Sequence, residues 1–185
     1  MGLDILYYSN LKIAGPITGE DSDYDCDVTV WNENCFEYQL GSLKRDHLYE
    51  STTNSQYGNF RAGSYSGYNQ WRNELAKMAG YSSADEVWQD EEFDSFKKFN
   101  LRKDKLDSIS GDVVEKPKPF YELINFSDAE GVIGPEVSKK LYEDFVEFDE
   151  KAQNHTDSDS WFYQKYQEWK KAFKIASQNG AVSFH

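Results

Sequence analysis

The chain is poor in cysteine, proline and methionine: 185 residues include only two cysteines, four prolines and two methionines. Cys26 and Cys35 are too few for a disulfide framework, which fits a reducing compartment, and a lone pair cannot complete a four-ligand zinc site. No run of about 18 apolar residues occurs, so a membrane-spanning helix is not expected. Met1–Ile5 contains Asp4 and no basic stretch, so no secretory leader is expected and the location predicted is cytoplasmic. No G-x-S-x-G, H-E-x-x-H or Cys–His signature is present. Basic residues are also scarce: 20 Lys and Arg face 33 Asp and Glu, a net charge of −13. That balance argues against direct binding to nucleic acid or to an anionic membrane, and favours solubility or a basic partner.

What the chain has in quantity is aromatic side chains, with 5 Trp, 13 Tyr and 12 Phe. They take the place of Leu, Ile and Val in the core, and their polar tips need partners. The length suits one domain with a core that needs no staples. Leu3–Tyr8 reads as a strand, with Leu11–Ala14 continuing it after a bend and Gly15-Pro16 as a turn. Val28–Trp31 reads as a second strand, Asn32–Asn34 as a turn and Cys35–Leu40 as a third strand, forming a hairpin. Residues 41–66 read as a polar, turn-rich connection. Tyr68, Trp71, Leu75, Met78 and Ala79 then recur at helical spacing, with Ser66 as N-cap and Gly80 as C-terminal stop.

Ser82 or Ser83 caps a short helix through Trp88, and residues 91–106 read as helical. Phe120–Phe126 suits either strand or helix. Pro135 opens a long helix with an apolar stripe of Val137, Leu141, Phe145, Phe148 and Ala152. Ser158 or Ser160 caps another, striped by Phe162, Tyr166, Trp169, Phe173 and Ala176. Asn179-Gly180 ends it, and Ala181–His185 reads as a terminal strand with one buried face. The fold expected is α+β: a small antiparallel sheet with a central helix and a long antiparallel helical hairpin. Residues 1–115 would supply the sheet and central helix, and 120–185 the hairpin and terminal strand.

Three segments could carry chemistry. In Arg61-Ala62-Gly63-Ser64-Tyr65-Ser66-Gly67-Tyr68-Asn69-Gln70-Trp71-Arg72, two glycines and two serines lead into a helix. A helix N-terminus presents unpaired N–H groups and partial positive charge, which suits an anion. Arg61 and Arg72 could add guanidinium forks, and Tyr65, Tyr68 and Trp71 flat faces for a base or sugar. This stretch also lies in the only nearly neutral part of the chain. The same residues equally suit a capped turn followed by core aromatics, and the spacing is neither a Walker A loop nor a Rossmann fingerprint.

In Phe126-Ser127-Asp128-Ala129-Glu130-Gly131-Val132-Ile133-Gly134, close carboxylates beside glycines could hold a metal, do acid–base work or form an exposed acidic turn. His185 could be a base, a ligand or a salt-bridge partner near that turn, or a frayed tail. Pairing with Asp128 or Glu130 would raise its pKa. Asp21, Asp23, Asp25 and Asp27 alternate, but lack the glycine and distal glutamate of a calcium loop. A Cys26, Cys35, His47, His185 metal site has no support from spacing, so neither metal nor cofactor is expected.

The stretches Met1-Gly2-Leu3-Asp4-Ile5, AGSYSGYNQWR at 62–72, FSDAEGVIG at 126–134 and the closing NGAVSFH together resemble a family encoded by phages and prophages. The resemblance spans most of the chain and implies a small accessory or counter-defence protein of the host cytoplasm. It implies no catalytic residues. The expected action is binding: capture of a small anionic, nucleotide-like ligand by Arg61, Gly63, Ser64, Tyr65, Ser66, Gly67, Tyr68, Asn69, Trp71 and Arg72. The alternatives are an acidic decoy occupying the nucleic-acid channel of a basic host protein, and a small hydrolase using Asp128, Glu130 and His185.

Overall fold

A computed structural model describes residues 2–19, 25–31, 37–89, 118–155 and 160–185. It is α+β, with two small antiparallel sheets. Strands β1 (Leu3–Tyr8), β5 (Tyr57–Gly63), β6 (Gly131–Ile133) and β7 (Ala181–Phe184) form a four-stranded sheet in the order β5-β1-β7-β6. Strands β2 (Leu11–Pro16), β3 (Val28–Val30) and β4 (His47–Ser51) form the other, ordered β2-β4-β3. The helical elements are α1 (Glu37–Leu40), α2 (Tyr65–Ala79), α3 (Ala84–Trp88), α4 (Tyr121–Ile124), α5 (Pro135–Glu147), α6 (Asp149–His155) and α7 (Trp161–Ala176).

Strand β1 shows why the layers stack as they do. Its side chains alternate between faces. Leu3, Ile5 and Tyr7 join the large apolar cluster, whose helical members include Trp71, Leu141, Trp169 and Phe173. Leu6 and Tyr8 turn to a smaller cluster with Leu11, Val28, Val30, Leu40 and Tyr49 from the second sheet and its connections. Strand β7 is covered on both sides: Val182 and Phe184 join the large cluster, Ala181 the small one, and all four of its residues are buried. A strand with one buried face was expected; a central position between two layers buries both.

Helix α2 starts two residues earlier than its periodicity predicts. Ser64, not Ser66, is the N-cap, and its Oγ accepts from Gly67 N at 3.1 Å. Gly80 ends it at φ 109°, a left-handed conformation open to glycine. Pro135 occupies the first turn of α5, and Ser160 Oγ caps α7 by accepting from Tyr163 N at 3.3 Å. The predicted stripe of α7 is wholly buried, and Tyr166 OH donates to Phe145 O at 2.9 Å, joining α7 to α5. Trp169 lies 5.8 Å from Trp71 and 5.7 Å from Phe173, ring centre to ring centre. Such pairs add about 0.5–1.5 kcal/mol each beyond the area they bury.

Several local expectations are corrected. Glu37–Leu40 is a helical turn, not a strand, and β3 pairs with β4 instead; residues 32–36 of the predicted hairpin lie outside the described set. Residues 41–66 hold β4 and β5 rather than turns alone. Gly15 and Pro16 lie within β2, where the register with β4 shifts between Ile13 and Gly15. Residues 120–126 contain the helical turn α4, and β6 follows Glu130. The predicted helix at 91–106 lies outside the described residues. Among the described residues, no helix is long and apolar enough to cross a membrane.

Candidate ligand site at the end of the four-stranded sheet

The three segments picked out by residue type meet at one end of the four-stranded sheet. Asp4 pairs with Arg61 across β1 and β5. On its other side Asp4 exchanges two backbone hydrogen bonds with His185, each 2.9 Å. Gly131 pairs with Phe184, so Glu130, one residue earlier, falls beside His185. Arg61, Asp4, His185 and Glu130 therefore form a row across four strands. Arg61 Nη1 donates to both oxygens of Asp4 at 3.1 Å, and both side chains stay more than half exposed. Such a pair is worth at most about 1 kcal/mol.

His185 Nε2 lies 2.9 Å from Ser183 Oγ, a contact that satisfies a hydroxyl buried inside the sheet. Burial pushes the imidazole pKa below its ordinary value, against the pull of Asp4 and Glu130. The expected rise through a carboxylate partner is thus reversed, because desolvation outweighs the two neighbouring charges. The expected position beside the 126–134 turn is found: Phe126 and Phe184 lie 4.6 Å apart, ring centre to ring centre.

The 61–72 segment divides by burial. Gly63 makes the turn from β5 into α2 at φ 129°. Ser64 and Ser66 are exposed at the first turn of α2, with their hydroxyls 3.2 Å apart. Tyr65 is half-buried against the large cluster, and Gly67 donates its N–H to the Ser64 cap. Tyr68 and Trp71 are core residues that offer no face to a ligand; Trp71 Nε1 donates to Phe162 O at 3.1 Å. Arg72 is also buried, with 3% of its surface exposed. Its Nη1 donates to Ile124 O at 3.1 Å and to Phe126 O, and its Nη2 to Asn69 Oδ1. The guanidinium lies 4.6 Å from the Tyr68 ring centre and 5.2 Å from that of Trp88.

Asn69 ties this segment to the acidic turn, donating from Nδ2 to Asp128 Oδ2 at 2.9 Å. Ser127 Oγ shapes that turn by accepting from Ala129 N and Glu130 N, each at 3.2 Å. The Asp128 side chain remains 43% exposed, and its hydrogen bond goes to Asn69 rather than to His185. At this end of the sheet the α2 side carries the Ser64 and Ser66 hydroxyls and the Asn69–Asp128 pair, and the opposite face of β1 carries Asp4 with Arg61.

Asp4 and Ser183 were not singled out from the sequence. They share the strand faces that carry Leu6, Tyr8 and Ala181, so alternation along the chain did not mark them. The buried cluster of Glu122, Lys140 and Asp144 was missed too. Lys140 Nζ donates to Glu122, to Asp144 Oδ2 at 2.9 Å and to Lys118 O at 2.7 Å. Asp144 Oδ2 also accepts from Phe120 N at 2.7 Å, where Phe120 sits at φ 56°. Burial pushes the Asp144 carboxyl up to about 6, against the opposing effects of Lys140 and the Phe120 N–H. For Lys140, burial is outweighed by the two carboxylates, and the ammonium pKa is raised. All three ammonium protons have acceptors, the closed pattern of a staple between the 118–124 segment and α5.

Among the described residues no group of His, Cys, Asp and Glu is arranged to hold a metal ion. His47 Nδ1 contacts Arg45 O at 2.7 Å on the second sheet, remote in topology from His185. Cys26 is a free thiol, and Cys35 lies outside the described residues. Asp27 of the alternating acidic loop accepts from Ser51 N at 2.6 Å, while Asp21 and Asp23 lie outside the described residues. No family model, no curated protein and no solved structure matches the chain.

Proposed function

We propose that the protein acts by binding, and that it captures a small anionic, nucleotide-like ligand at this end of the sheet. The observation that carries the reading is the row of Arg61, Asp4, His185 and Glu130 at the end of the sheet where β5 leads into α2, together with the Asn69–Asp128 hydrogen bond that ties α2 to the acidic turn. The first N–H groups of a helix have no intrahelical carbonyl to reach, and the helix dipole adds partial positive charge there. Ser64 and Ser66 supply hydroxyl donors and Arg61 a solvent-facing guanidinium, all suited to phosphate oxygens. Asp128 and Glu130 are acceptors only when ionised, which suits the hydroxyls of a sugar. In the phage-accessory setting that the sequence resembles, such capture would withhold a host nucleotide or signal.

The test is a thermal-shift panel of nucleotides and inorganic phosphate on the intact chain. A ligand at 100 times its dissociation constant should add about 2.7 kcal/mol of stability. Arg61→Ala together with Ser66→Ala should remove that gain and keep the fold, since both side chains are exposed. A wild type whose melting point responds to no phosphate-bearing compound rules the reading out.

A second reading, the acidic decoy, is favoured by a different surface. Glu143, Glu147 and Glu150 are exposed along α5 and α6, around the exposed Val146, on a chain of net charge −13. A decoy would bind a basic host protein with a steep loss of affinity as salt rises, and would be insensitive to Arg61→Ala.

A further inference from the structure

We propose that Arg72 is a positioning residue of this site: from inside the core it fixes the orientation of Asp128 through Asn69 and never touches the ligand. The functional half of this inference rests on the binding reading above. Four observations support it.

First, the guanidinium is buried between Tyr68 and Trp88, so a ligand at the rim cannot reach it. Second, one nitrogen serves two carbonyls, those of Ile124 and Phe126, which bracket the entry to the acidic turn. Trp88 Nε1 donates to the same Ile124 carbonyl at 2.8 Å, so the ring and the cation hold one anchor together. Third, the other terminal nitrogen donates to Asn69 Oδ1. An amide has one acceptor end and one donor end. With Oδ1 committed to Arg72, Nδ2 must face away from it, and it donates to Asp128 Oδ2 at 2.9 Å. Arg72 therefore decides which way the amide points, and the amide decides where the carboxylate sits.

Fourth, Asp128 Oδ2 is 3.9 Å from Arg72 Nη2, beyond hydrogen-bond reach, so the amide is the connecting element. A lysine could supply the charge but not the planar fork that spans two carbonyls and an amide at once. Asn69 is the gentler place to interrupt the relay, because it is only half-buried.

The consequence concerns what the site distinguishes. Asp128 would accept from sugar hydroxyls, which a nucleoside monophosphate has and inorganic phosphate lacks. Loss of its orientation should therefore erase a preference without erasing the anion site. The experiment compares wild type, Asn69→Ala and Arg72→Lys as full chains. It measures hydrogen exchange at residues 125–130, and binding of adenosine 5′-monophosphate and of inorganic phosphate.

Asn69→Ala is expected to speed exchange in 125–130 about tenfold, the equivalent of one charge-assisted hydrogen bond. It should also lower nucleotide affinity about tenfold while phosphate affinity stays within about twofold, and Arg72→Lys, which keeps the charge but loses the planar fork, should show both effects. Exchange in 125–130 that is unchanged in both variants overturns the relay. Equal losses for nucleotide and phosphate overturn the assignment of Asp128 to sugar. If wild type binds neither probe while exchange rises as expected, the binding reading has failed and Arg72 is left as a strut of the fold alone.

Discussion

Lys140 and Arg61 are both cations facing carboxylates, and their surroundings could hardly differ more. Lys140 is enclosed with Glu122 and Asp144, and each ammonium proton has an acceptor. Arg61 meets Asp4 in the open, with both side chains more than half exposed. In the interior the three charges depend on one another, because removing one strands the others in a poorly solvating medium. At the rim water replaces any lost partner at little cost, so the charges there are available for a ligand. A buried, saturated cluster holds structure, while an exposed pair can exchange partners.

The largest effect should come from removing what both regions share. Deleting residues 181–185 takes out a central strand, leaving β1 and β6 without the neighbour between them. Circular dichroism on heating should show no cooperative transition; a melting point within a few degrees of wild type would make β7 dispensable. Next comes Lys140→Met, which leaves two buried carboxylates unpaired and should cost about 3–5 kcal/mol in urea unfolding. Adding Glu122→Gln and Asp144→Asn should recover most of that loss, and failure to recover would mean the lysine acts by packing.

A smaller effect is visible in pH. The Asp144 carboxyl titrates at about 6 in the folded protein, against about 3.9 when unfolded. Its folded-state pKa is the higher one, so the stability it contributes is complete below about pH 4 and fades as pH rises through 6. Asp144→Asn should flatten urea-unfolding stability across that window; an unaltered slope would assign the titration to another group. His185 behaves in the opposite sense, since its folded pKa is lowered. Its contribution is present above about pH 6.5 and is lost as pH falls through the folded value. His185→Ala should remove that acid-side loss. The smallest effect belongs to Arg61→Ala: within about 1 kcal/mol of wild type, and less at high salt. A larger loss would erase the contrast between rim and interior.

Legibility followed how local the determinants were. Gly80 ends α2 and Ser160 starts α7 because capping involves residues within one turn. Strand β1 was legible from its run of apolar residues. Strand β5 was not, because Tyr57, Asn59 and Arg61 are its exposed side and Gly58 and Gly63 read as turn residues. Gly58 is required there for another reason: a Cβ would stand 2.4 Å from the Tyr7 hydroxyl. Arg61 and Arg72 looked equivalent in the sequence, each next to the Gly/Ser run. Only the approach of the 124–126 carbonyls and of Trp88 made one of them core.

The sequence by itself determined the mixed α and β character, the stripes of α2 and α7, the stripe from Val137 to Ala152 that the structure divides between α5 and α6 at Phe148, and the three segments worth examining. Those follow from periodicity, caps and residue chemistry, which neighbours along the chain are enough to specify. The tertiary structure alone decided that β7 is central, that Asp4 lies beside His185, and that Asn69 meets Asp128. It also decided that Lys140, rather than any surface lysine, is enclosed by acids. These outcomes depend on which distant segments share a layer, because burial and the pairing of charges are properties of the assembled interior. No window of neighbouring residues contains them.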